Sequence, residues 1–366
     1  MENSEKSRFQ LNLIKVRIRN PFFDFLSRKI ICRKRSLFFR IISLLLLPLS
    51  LFYMLLITLN KFAARPEYYP FPVISVGNIT AGGTGKTPMV LHLSEKLRNC
   101  DYEVVILSSA AGKAQKNGSH SERDDELRML REKLQGIRIR PKNRDNLRVL
   151  KESQCVRKIA AVIDDGFHTH NIGRDIDILM IDAANPFDNR LVIPSGLLRE
   201  PASAIRRADV FILSHPYMVS RKQLDSLAFK LKRLNKPVYI MDYEITGLKN
   251  EKSSLPFYEI AGREVTAIAG IGNPFNFFAL MSGLGTRKIH AFVYPDHFSY
   301  RRSDIKKILS EFRKNGTSHI ITTEKDYTKL KMFDEELPLF YLEIKSRIDN
   351  FYEMEDFDTF MLSMLK

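Results

Sequence analysis

An α/β fold on a mostly parallel sheet is what this sequence predicts, and three observations predict it. From residue 71 onward, short continuously apolar runs alternate with helical segments, the pattern of strands covered on both faces. A glycine-rich turn joins the first of these runs to a helical stretch. The chain has 366 residues, 44% apolar and 27% charged, with 17 Gly and 16 Pro. That composition describes a globular protein with room for two domains, neither disordered nor a multi-pass membrane protein.

The elements follow in order. Residues 1–40 are a basic arm with eleven Lys or Arg against three acids, which holds +8 of the chain's net +16. An apolar stretch with no charge follows, Ile41 to Leu59. As a helix it would reach about 28 Å, close to the hydrocarbon thickness of a bilayer. It starts too late and runs too long for a signal peptide, and Pro48 interrupts it, so a membrane-associated helix kinked at Pro48 is expected. Residues 72–77, 103–109, 159–165, 176–182, 209–214 and 237–243 then read as buried strands. A polar stretch, 247–256, reads as the linker to a second group of strands at 265–272, 288–294, 319–323 and 337–344. The three cysteines, Cys32, Cys100 and Cys155, are far apart, so neither a disulfide framework nor a zinc site is indicated.

The first strand runs into TAGGTGKT, residues 80–87, which fits the phosphate-binding pattern GxxxxGK[ST] except for Thr80 in the first position. Thr80, Ala81, Gly82, Gly83, Thr84 and Gly85 form a loop whose amides can approach phosphates closely, and a helix starts at Lys86 with its positive end toward the anion. Lys86 is placed to reach the β- and γ-phosphates, and Thr87 to put its hydroxyl on Mg2+. The strand at 159–165 ends in Asp164 and Asp165, the carboxylates such a loop needs for its metal, although strand ends carry Asp in ordinary turns too. ATP and Mg2+ are therefore the expected cofactors. The predicted domains are the arm and membrane-associated helix, 1–65; a P-loop ATP-binding domain, 66–246; and a second, smaller α/β domain, 257–366.

Six separated words decide the acceptor: VGNITAGGTGKTP (76–88), DDGF (164–167), PSGLLREP (194–201), AGIGNP (269–274), YPDH (294–297) and TTEKD (322–326). In this order they resemble the tetraacyldisaccharide 4′-kinases, the lipid A 4′-kinase family, whose own loop is similar to TxGGxGKT. The resemblance implies ATP-dependent phosphorylation of the 4′-hydroxyl of an acylated glucosamine disaccharide 1-phosphate at the cytoplasmic face of an inner membrane. It also implies that Asp125, in a word similar to GDEP, is the base and His297, in a word similar to PDHH, its partner. Arg199 is implied at the nucleotide, and Glu200 with Thr87, Asp164 and Asp165 at the metal. Read without the family, Asp125 is ordinary acidic decoration of a helix start and His297 part of a turn.

The chain departs from the family's words on the acceptor side. Where the family has a word similar to SRGYGG, this chain reads Ser108-Ser109-Ala110-Ala111-Gly112-Lys113 and lacks the arginine. Where the family has DDGFQH, it has His168, Thr169 and His170; Phe298 replaces the second His of PDHH, and Asp124 and Leu127 replace the Gly and Pro of GDEP. The expectation is a lipid kinase that closes its second domain over the acceptor, its arm on an anionic inner-membrane surface, with no nucleic-acid partner. The alternative is a membrane-anchored P-loop ATPase or switch protein. Bases before the apolar stretch favour an N-terminus inside, so a segment entering the cytoplasmic leaflet, rather than one that carries the body across, keeps the catalytic domains with their ATP.

Overall fold

The computed structural model describes residues 14–18, 37–111, 129–131, 133–134, 136–153, 158–296, 298–333, 337–350, 353 and 355–365. In chain order the strands and helices begin with β1 (Ile14–Ile18), α1 (Leu37–Leu45) and α2 (Leu47–Ala63). There follow β2 (Val73–Gly77), α3 (Lys86–Asn99), β3 (Glu103–Ser108), β4 (Arg138–Pro141), α4 (Arg144–Ser153), β5 (Ile159–Asp164), β6 (Ile176–Asp182), β7 (Val210–Ser214), α5 (Arg221–Lys232) and β8 (Val238–Lys249). The chain then forms β9 (Ser254–Leu255), β10 (Glu264–Ala269), α6 (Pro274–Gly283), β11 (Lys288–Val293), α7 (Arg302–Asn315), β12 (Ile320–Thr322), α8 (Glu324–Leu330), β13 (Leu339–Asn350) and α9 (Phe357–Ser363).

Two compact units divide these elements, one of Arg35–Ser121, Leu130–Asp242 and Ser346–Lys366, the other of Met1–Lys34, Glu122–Met129 and Tyr243–Lys345. The chain passes from the first to the second within β8 and returns within β13. In the first unit the strand order is β8-β7-β6-β2-β5-β3-β4, with every pairing parallel. β2 is wholly buried between β5 and β6, so the loop that leaves its C-terminal end emerges where successive strands diverge to either side. In open parallel sheets that is where ligands bind. α3 buries Met89, Val90, Leu93 and Leu97, a helical spacing that presents one apolar face to the sheet. The C-terminal α9 belongs to this unit: Phe357 is buried against Tyr239, and Asp358 bonds His92 and Lys96 of α3.

In the second unit β1, β11, β10, β12 and β13 pair in that order, again in parallel. Its words converge at the C-terminal strand ends. Asp326, fully buried, accepts hydrogen bonds from Gly270 N (2.8 Å), Tyr300 Oη (3.0 Å) and Thr323 Oγ1 (2.7 Å). Lys325 Nζ reaches Asp296 at 3.1 Å, and Phe298 stacks on Tyr294.

The structure differs from the sequence reading in the number of helices before β2, in the stretch 247–256 and in two added strands. The apolar stretch is two helices, α1 and α2, that meet at Leu46, because Pro48 has no N–H to continue the ladder but fits the first turn of a new helix. Among the described residues no helix is long and apolar enough to cross a membrane. The stretch 247–256 is a hairpin of β8 and β9, closed by Asn250 Oδ1, which accepts from the backbone of Lys252 and Ser253. β4 and β1 add strands the reading did not contain; β4 lies at a sheet edge, half exposed and polar.

Candidate functional site

The loop after β2 is held open by its own side chains. Asn78 Nδ2 donates to Thr80 O (2.7 Å), and Lys86 Nζ donates to Asn78 Oδ1 (3.3 Å). Ala81 N donates to Leu197 O and Arg199 N to Ile79 O, both at 2.7 Å, so residues 194–201 brace the loop. Gly85 caps α3 at φ +79°, a left-handed conformation that glycine adopts freely. Ala81, Gly82 and Gly83 are exposed, while Thr84 Oγ1 is buried with no hydrogen-bond partner. A loop of exposed amides with an unspent buried hydroxyl fits a phosphate chain.

β5 brings the acids beside this loop. A Cβ on Gly77 would lie 2.5 Å from Phe167 Cβ, so only glycine lets the end of β2 pass the turn that follows β5. Asp165 sits in that turn at φ +52° and forms ion pairs with Arg199 (2.8 Å) and Lys86 (3.7 Å). Burial would raise its carboxyl, but the charges of Lys86, Arg199 and Lys142 hold it below its ordinary value. Asp164 accepts from Ser108 Oγ at 3.4 Å. Lys86, Arg199, Asp164 and Asp165 are thus brought together, with Thr87 in the first turn of α3.

Glu200 is placed differently from its implied role. Its carboxylate, 3% exposed, is taken by Arg207 (2.5 and 2.7 Å) and His168 Nδ1 (2.5 Å), with His170 at 3.7 Å. Burial opposes its charge, yet the bonds from His168 and Arg207 and the Arg207 charge bring Glu200 down to about 2. Burial also lowers His170 to about 4, against the pull of Glu200, so this imidazole is neutral near pH 7. Asp125 and His297 lie outside the described residues.

A cleft of about 650 Å³ opens from Asp165 and Arg199 toward α2. Tyr53, Ile57 and Asn60 of α2 line it, as do Lys142, residues 168–171 and Glu200. α2 is pinned there by Ser50, whose Oγ donates to Val192 O (3.0 Å) and accepts from Ser195 N (3.0 Å), and by Tyr53 Oη, which donates to Arg199 O (3.2 Å). Sequence reasoning missed this cleft and Lys142, because both depend on which strands and helices become neighbours. The cleft can take a polar group beside Asp165 and an apolar one along α2. Among the described residues no group of three or more His, Cys, Asp or Glu is arranged to hold a metal by itself.

Comparisons with known proteins agree on one relationship. The family profile described as LpxK: Tetraacyldisaccharide-1-P 4'-kinase matches residues 42–366. The chain is 33% identical over 350 residues to the tetraacyldisaccharide 4'-kinase of Halothermothrix orenii, with 85% of this chain and 90% of that protein covered. It is 32% identical over 354 residues to the tetraacyldisaccharide 4'-kinase of Chlorobium limicola, at 88% and 97% coverage. Among solved structures it is similar to LpxK from Aquifex aeolicus in its "apo" form in complex with ATP, with a TM-score of 0.63, 25% identity, and 89% and 100% of the two chains covered.

Proposed function

The chain belongs to the tetraacyldisaccharide-1-P 4'-kinase family, and from that premise we propose that the site around Asp165 transfers the γ-phosphate of ATP to the 4′-hydroxyl of an acylated glucosamine disaccharide 1-phosphate. The protein is an ATP-dependent kinase of lipid A biosynthesis. One observation carries the assignment of the site: the phosphate loop and the cleft that reaches α2 share Asp165 and Arg199, so the donor and a lipid acceptor meet at one carboxylate.

The loop amides of residues 82–85 and Lys86 bind the donor phosphates and hold the charge that develops as the bond from γ-phosphorus to the β–γ bridging oxygen breaks. Arg199 and Lys86, now paired with Asp165, are the cations available to that charge. The oxygen donors Thr87, Asp164 and Asp165 suit a hard divalent cation, which takes few protein ligands alongside phosphates, and Mg2+ held there would supply neutralisation of the phosphate charge. Asp125, with His297 as partner, is the proposed acceptor of the 4′-hydroxyl proton as oxygen attacks phosphorus.

The acyl chains are proposed to lie along α1 and α2. Ile41, Leu44, Leu45, Leu49, Leu51, Phe52, Leu55, Leu56, Leu59 and Phe62 are exposed there, more apolar surface than a free-standing helix pair leaves in water. This supports a monotopic seat in the inner leaflet, with the basic arm on anionic headgroups and the catalytic units on the cytoplasmic side. The test is mass spectrometry of the lipid disaccharide incubated with purified protein, ATP and Mg2+. One added phosphate, lost in Lys86→Ala, is expected; an unmodified lipid with the wild-type protein overturns the reading.

A further inference from the structure

Lys142 lines the cleft and acts on Asp165, and its anchoring places its ammonium between β4 and the end of β5. It follows β4 directly, and its backbone N donates to Ser108 O at 3.2 Å, so it is anchored at the C-terminal end of β3. From there its side chain crosses to the end of β5, where Nζ donates to Asp165 O at 2.8 Å and Asp164 O at 3.3 Å. It lines the cleft beside Asp165 and Arg199. An ammonium has three donors, and these two carbonyls use two of them.

The local charge balance is what makes this position active. One carboxylate, Asp165, is faced by Lys86 at 3.7 Å and Arg199 at 2.8 Å, and Lys142 grips the backbone of the same residue. Three cations around the two carboxylates Asp164 and Asp165 still leave an excess of positive charge where the phosphoryl group must travel, in a half-buried setting where such charge is weakly screened. Lys86 comes from the loop after the central strand β2, whereas Lys142 comes from the end of the edge strand β4 and lines the cleft beside Asp165. The end of β3 brings no cation to this place among its described residues, since Ser108, Ser109, Ala110 and Ala111 are all uncharged.

We propose that Lys142 is a further catalytic residue of this kinase, its ammonium binding the phosphoryl group in transfer from the acceptor side and supplying from the edge strand β4 a cation that residues 108–111 at the end of β3 do not. The proposal rests on the kinase reading above. Lys142 contacts the transferred group late, so its removal lowers kcat more than it weakens ATP binding.

The test uses the full-length protein with lipid disaccharide 1-phosphate in mixed micelles, ATP and Mg2+, and compares wild type, K142M, K142R and the double variant K142M/S109R. K142M is expected to lose about a hundredfold in kcat, the cost of removing one transition-state donor, with the KM for ATP within about twofold of wild type. K142R retains most of the rate, and S109R in the K142M background restores at least tenfold, because the charge returns from the neighbouring strand end. Unchanged kcat in K142M overturns the proposal. So does a K142M protein that loses its rate together with ATP affinity and thermal stability and is not rescued by either arginine, since that is the behaviour of a brace for the Asp164–Asp165 turn. An inactive wild type fails the kinase reading itself, and this proposal with it.

Discussion

Asp165 and Glu200 are both carboxylates beside the cleft, and their partners separate them. Asp165 is paired with Lys86 and Arg199 and has Lys142 on its backbone carbonyl. Glu200 is locked by Arg207 and His168 beneath the residues 168–170 that differ from the family's word. Glu200 therefore shapes the cleft wall, and His170 presents a neutral ring to it. This has a consequence for acid stability. His170 titrates at about 4 in the folded protein but near 6.5 when unfolded, so as pH falls through that window the unfolded chain takes up a proton that the folded one refuses. Stability drops between about 6.5 and 4 and levels off below. Glu200, at about 2 against an ordinary 4.5, adds a second loss as pH falls from about 4.5 toward 2. Thermal melts of wild type and His170→Asn at pH 7.5, 5.5 and 4.5 should show a smaller decline for the variant above pH 4.5. Parallel declines would mean His170 does not carry the effect.

At the scale of elements, the phosphate loop was legible because everything it needs is local: a buried strand, glycines at fixed spacing and a helix start lie within fifteen residues. Each of the ten apolar runs is a strand for the same reason, since burial on both faces writes itself into consecutive residues. β4 was not legible: its sequence, RIRP, is polar and half exposed, and only its place beside β3 makes it a strand. Lys142 inherits that invisibility, because its reach to Asp165 depends on the order β5-β3-β4. The later halves of β8 and β13 escaped too, where burial turns alternating after a continuous apolar start. The words AGIGNP, YPDH and TTEKD were legible as words, while the reason they occur together was not. Asp326 ties TTEKD to Gly270 of AGIGNP, Lys325 ties it to Asp296 of YPDH, and removal of Asp326 leaves donors on Gly270, Tyr300 and Thr323 unpaired. Asp326→Ala should cost roughly 3 kcal/mol in chemical denaturation, whereas Asp326→Asn, which keeps an acceptor, should cost less. Equal, small losses would show that the knot contributes little.

Over the whole molecule, the net charge of +16 first permits any anionic partner, and its distribution narrows the choice. Half lies in the first forty residues, directly before the helices whose apolar side chains are most exposed, and the rest includes the cations gathered on Asp165. Charge and apolar surface placed in sequence are what an interfacial anchor requires, each being weak alone and effective together. Basic residues near an anionic surface contribute about 1 kcal/mol each at modest salt, and the contribution fades as the Debye length shortens. The apolar contribution does not fade. Binding to vesicles with anionic lipid should therefore be strong at low salt and reduced, not abolished, at about 0.5 M salt, while binding to neutral vesicles should be weak and insensitive to salt. Replacing Leu51, Leu55 and Leu59 with Ser should remove the salt-resistant part and leave the salt-sensitive part in place, because no charge changes and the arm is untouched. Ser50 and Tyr53, which pin α2 to the body, stay intact in that variant, so its kinase activity on acceptor dispersed in detergent should persist while activity on acceptor embedded in vesicles falls. Loss of both activities together would mean that these leucines hold up the cleft rather than the membrane contact, and full activity on vesicles would mean that the acceptor is delivered without an anchor.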